Sequence, residues 1–222
     1  MTQFSLILVE EARPIWQRIF THPFLHELSN GTLPLEKFRY YIGQDHAFLL
    51  DYCRFLGLAV PRCESLEQIR FLSEILHSEF SLEIDMQREL AKKVDLNIQD
   101  MQTTEPSPTT LAYASFLIRT AATGSIGEIF AALSPCPVTY TELAARLVTQ
   151  EIGKIPAYAD WLRTYNSAEA CKISEKLRSI LDSLGSAATQ AQRLRMVRSF
   201  LTASRYEYLF WQMAYTLEKW PV

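Results

Sequence analysis

The chain has 222 residues, a formal net charge of −3 and 48% hydrophobic residues. Charged residues make up 21% and the mean hydropathy is −0.03, which excludes an intrinsically disordered or membrane-embedded protein and leaves ample apolar material for a core. Lysine and arginine form no cluster, and nucleic-acid binding needs concentrated positive charge, so a nucleic-acid partner is excluded as well.

Glycine content and apolar spacing both favour long helices. Seven glycines are less than half of the usual share of about 7%, so the chain has few tight turns. Apolar residues recur at intervals of three and four nearly throughout, and alternating strand patterns are missing. We predict one all-α domain over residues 1–222, built from seven or eight helices. In chain order the predicted helices are 3–20, 34–58, 65–94, 108–122, 125–149, 155–164, 167–184 and 189–217.

No segment is typical of a membrane span or of an export signal. The longest apolar tract, residues 48–60, is interrupted by Asp51 and Arg54 and is too short to cross a bilayer. The N-terminal residues run into Glu10 and Glu11 without a basic leader. The four cysteines form no Cys-x-x-Cys pair, which favours reduced thiols. We expect a cytoplasmic protein without a membrane partner.

Two carboxylic acids interrupt the apolar faces of their predicted helices. Asp45 has only apolar or aromatic neighbours at three, four and seven positions, and Glu207 likewise has no cation at these positions. Asp51, by contrast, has Arg54 three positions later, and this spacing predicts an ordinary ion pair at the surface. A buried acid without a cation needs donors from another helix or a polar ligand. Its pKa rises, which suits a general acid near neutral pH, although the pattern leaves open a purely structural hydrogen bond.

Cys136 is the third residue that breaks the helical pattern. It lies between Pro135 and Pro137, and because each proline removes a backbone donor the helix should kink there. Tyr140 follows one turn later on the same face. A free cysteine is most often a small buried hydrophobe, but Cys136 has a reason for another role. The ordinary buried role is expected of Cys53, Cys63 and Cys171.

Metal ligands are scarce in this sequence, whereas aromatic side chains are plentiful. A di-metal centre in a helical bundle uses Glu-x-x-His on two helices, and only Glu74 and His77 have this spacing. We therefore predict neither a metal site nor a cofactor. Tyrosines such as Tyr113, Tyr140 and Tyr165 combine a flat apolar ring with a hydroxyl and could line a pocket.

Motifs along nearly the whole chain resemble those of the TenA/thiaminase II family. They are His22-Pro23-Phe24, Gly31-Thr32-Leu33-Pro34, Gln44-Asp45, Ala112-Tyr113, Leu133-Ser134-Pro135-Cys136, Tyr158-x-x-Trp161 and Tyr206-Glu207-Tyr208-x-Phe210-Trp211. The resemblance implies a haem-oxygenase-like all-α fold, a homotetramer and hydrolysis of aminopyrimidines in thiamin salvage. Similar proteins convert 4-amino-5-aminomethyl-2-methylpyrimidine to hydroxymethylpyrimidine and ammonia, and they cleave thiamin more slowly.

The same resemblance implies roles for individual residues. Cys136 corresponds to the nucleophile of the cysteine-bearing branch, and Glu207 corresponds to the family acid. Asp45 corresponds to the carboxylate that holds the amino group and the adjacent ring nitrogen of the pyrimidine. The substrate-binding residues implied beside Asp45 and Glu207 are Phe48, Tyr113, Tyr140 and Tyr165.

The chain departs from the family pattern at a few positions. Pro137 and Val138 stand where relatives often carry a Tyr-Trp pair, which is expected to alter the pocket floor and the substrate preference. Glu83 stands where a histidine is usual, and we expect this change to lie outside the pocket.

Two other functions compete with an aminopyrimidine hydrolase. One is a protein of the same fold that acts on or binds another heterocycle, resembling pyrroloquinoline-quinone synthase, although the low histidine count weighs against it. The other is a non-catalytic regulator that keeps the scaffold. Such a regulator should have lost at least one of Asp45, Cys136 and Glu207, and all three are present.

Overall fold

The computed structural model describes residues 3–78, 83–147 and 155–222, and over these ranges all regular structure is helical. The all-α prediction is confirmed. The helices are α1 Phe4–Phe20, α2 Pro23–Ser29, α3 Leu35–Ala59, α4 Leu66–Ser78, α5 Ile84–Lys93, α6 Ile98–Gln102, α7 Pro108–Thr123, α8 Ile126–Leu133, α9 Pro135–Leu147, α10 Pro156–Tyr165, α11 Ala168–Ala187 and α12 Gln190–Thr216. A 3₁₀ turn, Val60–Arg62, follows α3. The described residues thus form more helices than the seven or eight predicted.

The predicted helix 125–149 is wrong as a single element, because it divides into α8 and α9 at Ser134. Neither Pro135 nor Pro137 has a backbone N–H, so α8 cannot continue its hydrogen bonding through them. Residues 148–149 of that prediction lie outside the described residues. The predicted helix 65–94 corresponds to α4 and α5, and residues 79–82 between them also lie outside the described part.

Two short helices were not predicted, and one predicted end is wrong. The side chain of His22 caps α2 by accepting from Phe24 N, and Asn97 caps α6 by accepting from Gln99 N. Each of these helices is too short to show an apolar period. Gly185 lies inside α11 and not after it.

The core is built around α3 and α12, the two longest helices. Helix α3 packs along α7, while α12 packs along α8 and α1. Trp16 Nε1 donates to Ser204 Oγ at 3.0 Å and so joins α1 to α12, and Trp161 Nε1 donates to Tyr41 OH at 3.2 Å and joins α10 to α3. No helix among the described residues has the length and apolar character needed to cross a membrane.

Gly185 permits a close approach between α11 and α1. A Cβ atom at this position would overlap the ring of Phe4, which is buried at the start of α1. Glycine is less favourable than alanine inside a helix, so its presence here reflects packing and not helix propensity.

We predict that Gly185→Ala lowers the free energy of unfolding by about 1–3 kcal/mol, because Phe4 must move or α1 must shift. The matched control is Gly57→Ala in α3, where an added Cβ meets nothing within 4 Å. That change should raise stability by up to about 1 kcal/mol. Urea denaturation of the three proteins checks this, and equal effects of the two substitutions would contradict the packing argument.

Candidate active site

A cavity of about 170 Å³ opens between α3, α7, α9, α10 and α12. Its walls include every residue that the sequence singled out for a site, although these residues come from five helices. They are Asp45, Phe48, Tyr113, Cys136, Tyr140, Tyr165 and Glu207. Aromatic rings, a thiol and carboxyl groups therefore share one small space.

Cys136, Glu207 and Tyr113 form a hydrogen-bonded cluster in this cavity. Glu207 lies on α12 with only 2% of its surface exposed. Tyr113 OH donates to Glu207 Oε1 at 2.6 Å, and the Cys136 thiol donates to the same carboxylate. Burial raises the pKa of Glu207 to about 7, while the two hydrogen bonds act in the opposite direction. The group can therefore release or take up a proton near neutral pH.

The proline pair sets the position of the Cys136 thiol. Helix α9 begins at Pro135, so Cys136 lies in its first turn, as the predicted break in the helix requires. Pro137 also lines the cavity, whereas Val138 is buried in the core.

Asp45 finds its donor on another helix. Gln87 Nε2 on α5 donates to Asp45 Oδ2 at 2.8 Å. The amide oxygen of Gln87 lies 2.9 Å from His46 Nδ1, so the imidazole donates and fixes the amide orientation. Burial raises the pKa of Asp45 to about 8, and the nearby Glu83 adds to this effect. The Gln87 hydrogen bond opposes the rise, and Glu207 contributes a smaller increase.

Glu83 lines the cavity, so the expectation that it lies outside the pocket is wrong. It immediately precedes α5, one turn before Gln87, and that spacing turns both side chains toward Asp45. Tyr165 OH donates to Glu83 Oε1 at 2.6 Å. Burial raises the pKa of Glu83, and the Tyr165 hydrogen bond opposes the rise. The sequence signal that could have placed Glu83 in the pocket is its i, i+4 spacing from Gln87.

Aromatic rings form two groups on the cavity wall. The rings of Phe48 and Tyr113 lie 4.9 Å apart, and those of Tyr140 and Tyr165 meet edge to face at 4.7 Å. Burial raises the pKa of all three phenols well above the ordinary value, so they remain protonated donors. The wall residues that the sequence analysis did not select include Tyr52, Thr141, Glu169 and Phe210.

The remaining cysteines and the possible metal ligands lie as follows. None of the four cysteines forms a disulfide, and Cys53 is buried while Cys63 is partly buried. Cys171 is exposed, so its expected buried role is wrong. Arg54 pairs with Asp51 at the surface, as predicted. In the described ranges, no three His, Cys, Asp or Glu side chains are grouped so that they could hold a metal ion.

Residues 9–217 match the TENA/THI-4/PQQC family. The chain belongs to this family. It is 32% identical over 218 residues to the aminopyrimidine aminohydrolase of Halalkalibacterium halodurans, with 98% of this chain and 97% of that protein covered. A TenA homologue from P. horikoshii OT3 superposes with a TM-score of 0.89 at 33% identity, over 97% of this chain and 99% of that one.

The haem-oxygenase-like fold implied by the sequence motifs is confirmed by a more distant structure. A protein from Shewanella denitrificans OS217 with a heme oxygenase-like fold superposes with a TM-score of 0.78 at 15% identity. The match covers 96% of this chain and 92% of that one. At this identity the likeness concerns the fold alone.

We predict that this family member loses stability as the pH rises from about 4 to 8. Asp45 binds its proton more tightly when folded, with a pKa of about 8 against an ordinary 3.8. The native state therefore holds more protons than the unfolded state between these values, and stability falls with rising pH. Asp45→Asn removes this contribution and should raise the melting temperature at pH 8 by a few degrees.

Thermal unfolding across this pH range measures the effect. Asp51→Asn is the control, since Asp51 lies on the same helix and pairs with the exposed Arg54. That variant should keep the wild-type slope. If Asp45→Asn has the same slope as the wild type, the carboxyl is not held in its neutral form.

Proposed function

We propose that the chain hydrolyses 4-amino-5-aminomethyl-2-methylpyrimidine to hydroxymethylpyrimidine and ammonia, and cleaves thiamin as a second substrate. The observation that carries the proposal is the hydrogen-bonded cluster of Cys136, Glu207 and Tyr113 in the cavity that also contains Asp45. A relative of nearly the same length that bears the name aminopyrimidine aminohydrolase supports the same class of reaction.

Recognition of the ring follows from Asp45 and the aromatic wall. An aminopyrimidine is flat and presents an amino donor beside a ring-nitrogen acceptor. A protonated carboxyl complements this edge, because its hydroxyl donates to the nitrogen while its other oxygen accepts from the amino group. The raised pKa of Asp45, about 8, keeps that protonated form available at neutral pH. The rings of Phe48 and Tyr140 lie in the cavity wall and supply apolar surface for the heterocycle.

The reaction begins with a proton transfer inside the thiol–carboxylate pair. Glu207 takes the proton of Cys136, which leaves a thiolate in the first turn of α9. The thiolate forms a bond to the ring carbon beside a ring nitrogen, and Glu207 returns its proton to that nitrogen. The ring then carries the electron density needed to break the bond between its exocyclic methylene and the amine.

Hydrolysis is completed at the methylene carbon. The amine leaves as ammonia, and water adds to the methylene with loss of a proton to the released ammonia. The ring nitrogen then gives its proton back to Glu207 as the thiolate is expelled from the ring carbon, and Glu207 returns that proton to Cys136. One water is consumed and one ammonia is released, so Cys136 and Glu207 return to their starting states. Tyr113 keeps Glu207 oriented throughout through its 2.6 Å hydrogen bond.

We further propose, from the family resemblance, that the protein acts in the cytoplasm as a homotetramer. Analytical ultracentrifugation of the purified chain tests the assembly. A monomer would overturn that part of the proposal without affecting the chemistry.

We predict that Cys136→Ser lowers turnover by about a thousandfold or more while the pyrimidine still binds, because serine is a far weaker nucleophile at neutral pH. Ammonia release from the aminomethylpyrimidine and thiazole release from thiamin measure turnover. The control is Cys171→Ser, whose exposed thiol lies outside the cavity wall and which should keep wild-type rates. Near-normal turnover by Cys136→Ser would overturn covalent catalysis.

A wild-type protein that releases neither product would overturn the proposed activity itself. It would favour another heterocycle as the ligand, or a regulatory role.

We predict that Glu207→Gln lowers kcat by about a hundredfold or more, because it removes the group that exchanges a proton with both the thiol and the ring. In the wild type, kcat should rise as the pH rises through about 7, because only the ionised Glu207 carboxylate can take the proton of Cys136 that is then passed to the ring nitrogen. The variant should lack this inflection. A pH–rate profile of both proteins decides, and an inflection retained in Glu207→Gln would assign the titrating group elsewhere.

A further inference from the structure

The charge balance of the cavity is one-sided. Its described wall contains four carboxyl groups and no lysine, arginine or histidine. The carboxyl groups belong to Asp45, Glu83, Glu169 and Glu207. The side chain of Glu169 is exposed. Burial raises the pKa values of Asp45, Glu83 and Glu207. A carboxylate in such a place is stabilised by a positive charge, which none of the described wall residues supplies and which a cationic ligand would bring.

Of the other carboxyl groups in the described wall, Glu83 has the largest effect on Asp45. After burial, the charge of Glu83 is the largest contribution to the raised pKa of Asp45. Their hydrogen-bonding partners are neutral: Gln87 donates to Asp45 at 2.8 Å, and Tyr165 donates to Glu83 at 2.6 Å. Neutral donors orient the carboxyls but do not cancel their repulsion. A cation bound between or beside them would interact favourably with whichever of the two carboxyls is ionised.

The proposed substrate carries such a cation next to the atom that Asp45 would hold. On the pyrimidine ring, the amino group and the aminomethyl arm are attached to adjacent carbon atoms. A primary alkylamine is protonated at neutral pH, as the lysine pKa of about 10.4 illustrates. The thiazolium group of thiamin is also positively charged and is attached through the same methylene. The hydroxymethyl product, in contrast, is neutral at this position.

We propose that Glu83 is a specificity-determining residue, which binds the positively charged substituent on the methylene arm of the aminopyrimidine beside Asp45. The pocket consequently prefers cationic substrates to the neutral alcohol product, and conversion of the ammonium to a hydroxyl weakens binding and favours release. This inference rests on the proposed function. It adds that the site selects substrates whose methylene substituent is positively charged.

The test compares two ligands that differ at one group. The probes are 4-amino-5-aminomethyl-2-methylpyrimidine, which is cationic, and its hydroxymethyl counterpart, which is neutral. Dissociation constants are measured at pH 7 by calorimetry on full-length protein carrying Cys136→Ser, so that no turnover occurs. We expect Glu83→Gln to weaken the cationic probe by about tenfold and to change the neutral probe by less than about twofold.

Two further variants separate charge from shape. Glu83→Asp keeps the charge and should retain the preference for the cationic probe. Glu169→Gln removes an exposed carboxyl on the same cavity wall, where water and salt screen the charge, and should leave the ratio of the two constants unchanged.

Three outcomes would overturn the inference. Equal weakening of both probes by Glu83→Gln and Glu83→Asp would make Glu83 a structural residue. If the ratio of the two dissociation constants is the same in Glu83→Gln as in the Cys136→Ser parent, Glu83 has no role in selecting charge. If Glu169→Gln changes this ratio as much as Glu83→Gln does, the preference for the cationic probe comes from the combined charge of the cavity carboxyls and not from Glu83.

Failure of the proposed function gives a different result. In that case neither probe binds the Cys136→Ser parent, and the inference falls with the activity on which it rests.

Discussion

Three acidic side chains that have no cation beside them in the described part of the cavity wall are the constraint on which the site depends. Asp45, Glu83 and Glu207 all face one small cavity, and burial raises the pKa of each. An uncompensated buried charge is costly, so each group must hold a proton, accept hydrogen bonds or meet a ligand cation. The described residues supply these three acids with neutral hydrogen-bond donors only, and the positions of those donors determine what the acids can do.

Each acid receives its donor from a different helix, so the site exists only when the bundle is assembled. Glu207 on α12 meets Tyr113 on α7, and Asp45 on α3 meets Gln87 on α5. The break between α8 and α9 then places Cys136 against Glu207. Closely packed helices hold these groups at fixed distances, which is what proton transfer requires. The proline pair therefore costs helical hydrogen bonds but positions the thiol.

Residues that conflict with the pattern of their own helix can be recognised from the sequence, and the structure places three of them in one cavity. Asp45 and Glu207 were selected because their helical neighbours contain no cation, and Cys136 because prolines flank it. Glu83 was misjudged for the opposite reason. The pattern of an ordinary charged helix is found in its segment, Leu82-Glu83-Ile84-Asp85-Met86-Gln87. The packing of α5 on α3 is what turns Glu83 and Gln87 toward Asp45. Periodicity reports neighbours within one helix, whereas this contact joins residues about 40 positions apart in the chain.

Glu207 and Glu83 have different proposed roles in the same cavity: Glu207 transfers a proton, and Glu83 binds a cation. Burial raises the pKa of Glu207 to about 7 against the opposing hydrogen bonds from Tyr113 and the Cys136 thiol, and at that value one carboxyl can act as base and then as acid. Glu83 has only Tyr165 as a hydrogen-bonding donor among the described residues, and it adds to the repulsion felt by Asp45. That repulsion is useful if the ligand arrives with a positive charge and leaves without it. A cationic amine relieves the repulsion on binding, and its replacement by a neutral hydroxyl restores it, so the burial that raises these pKa values also favours product release.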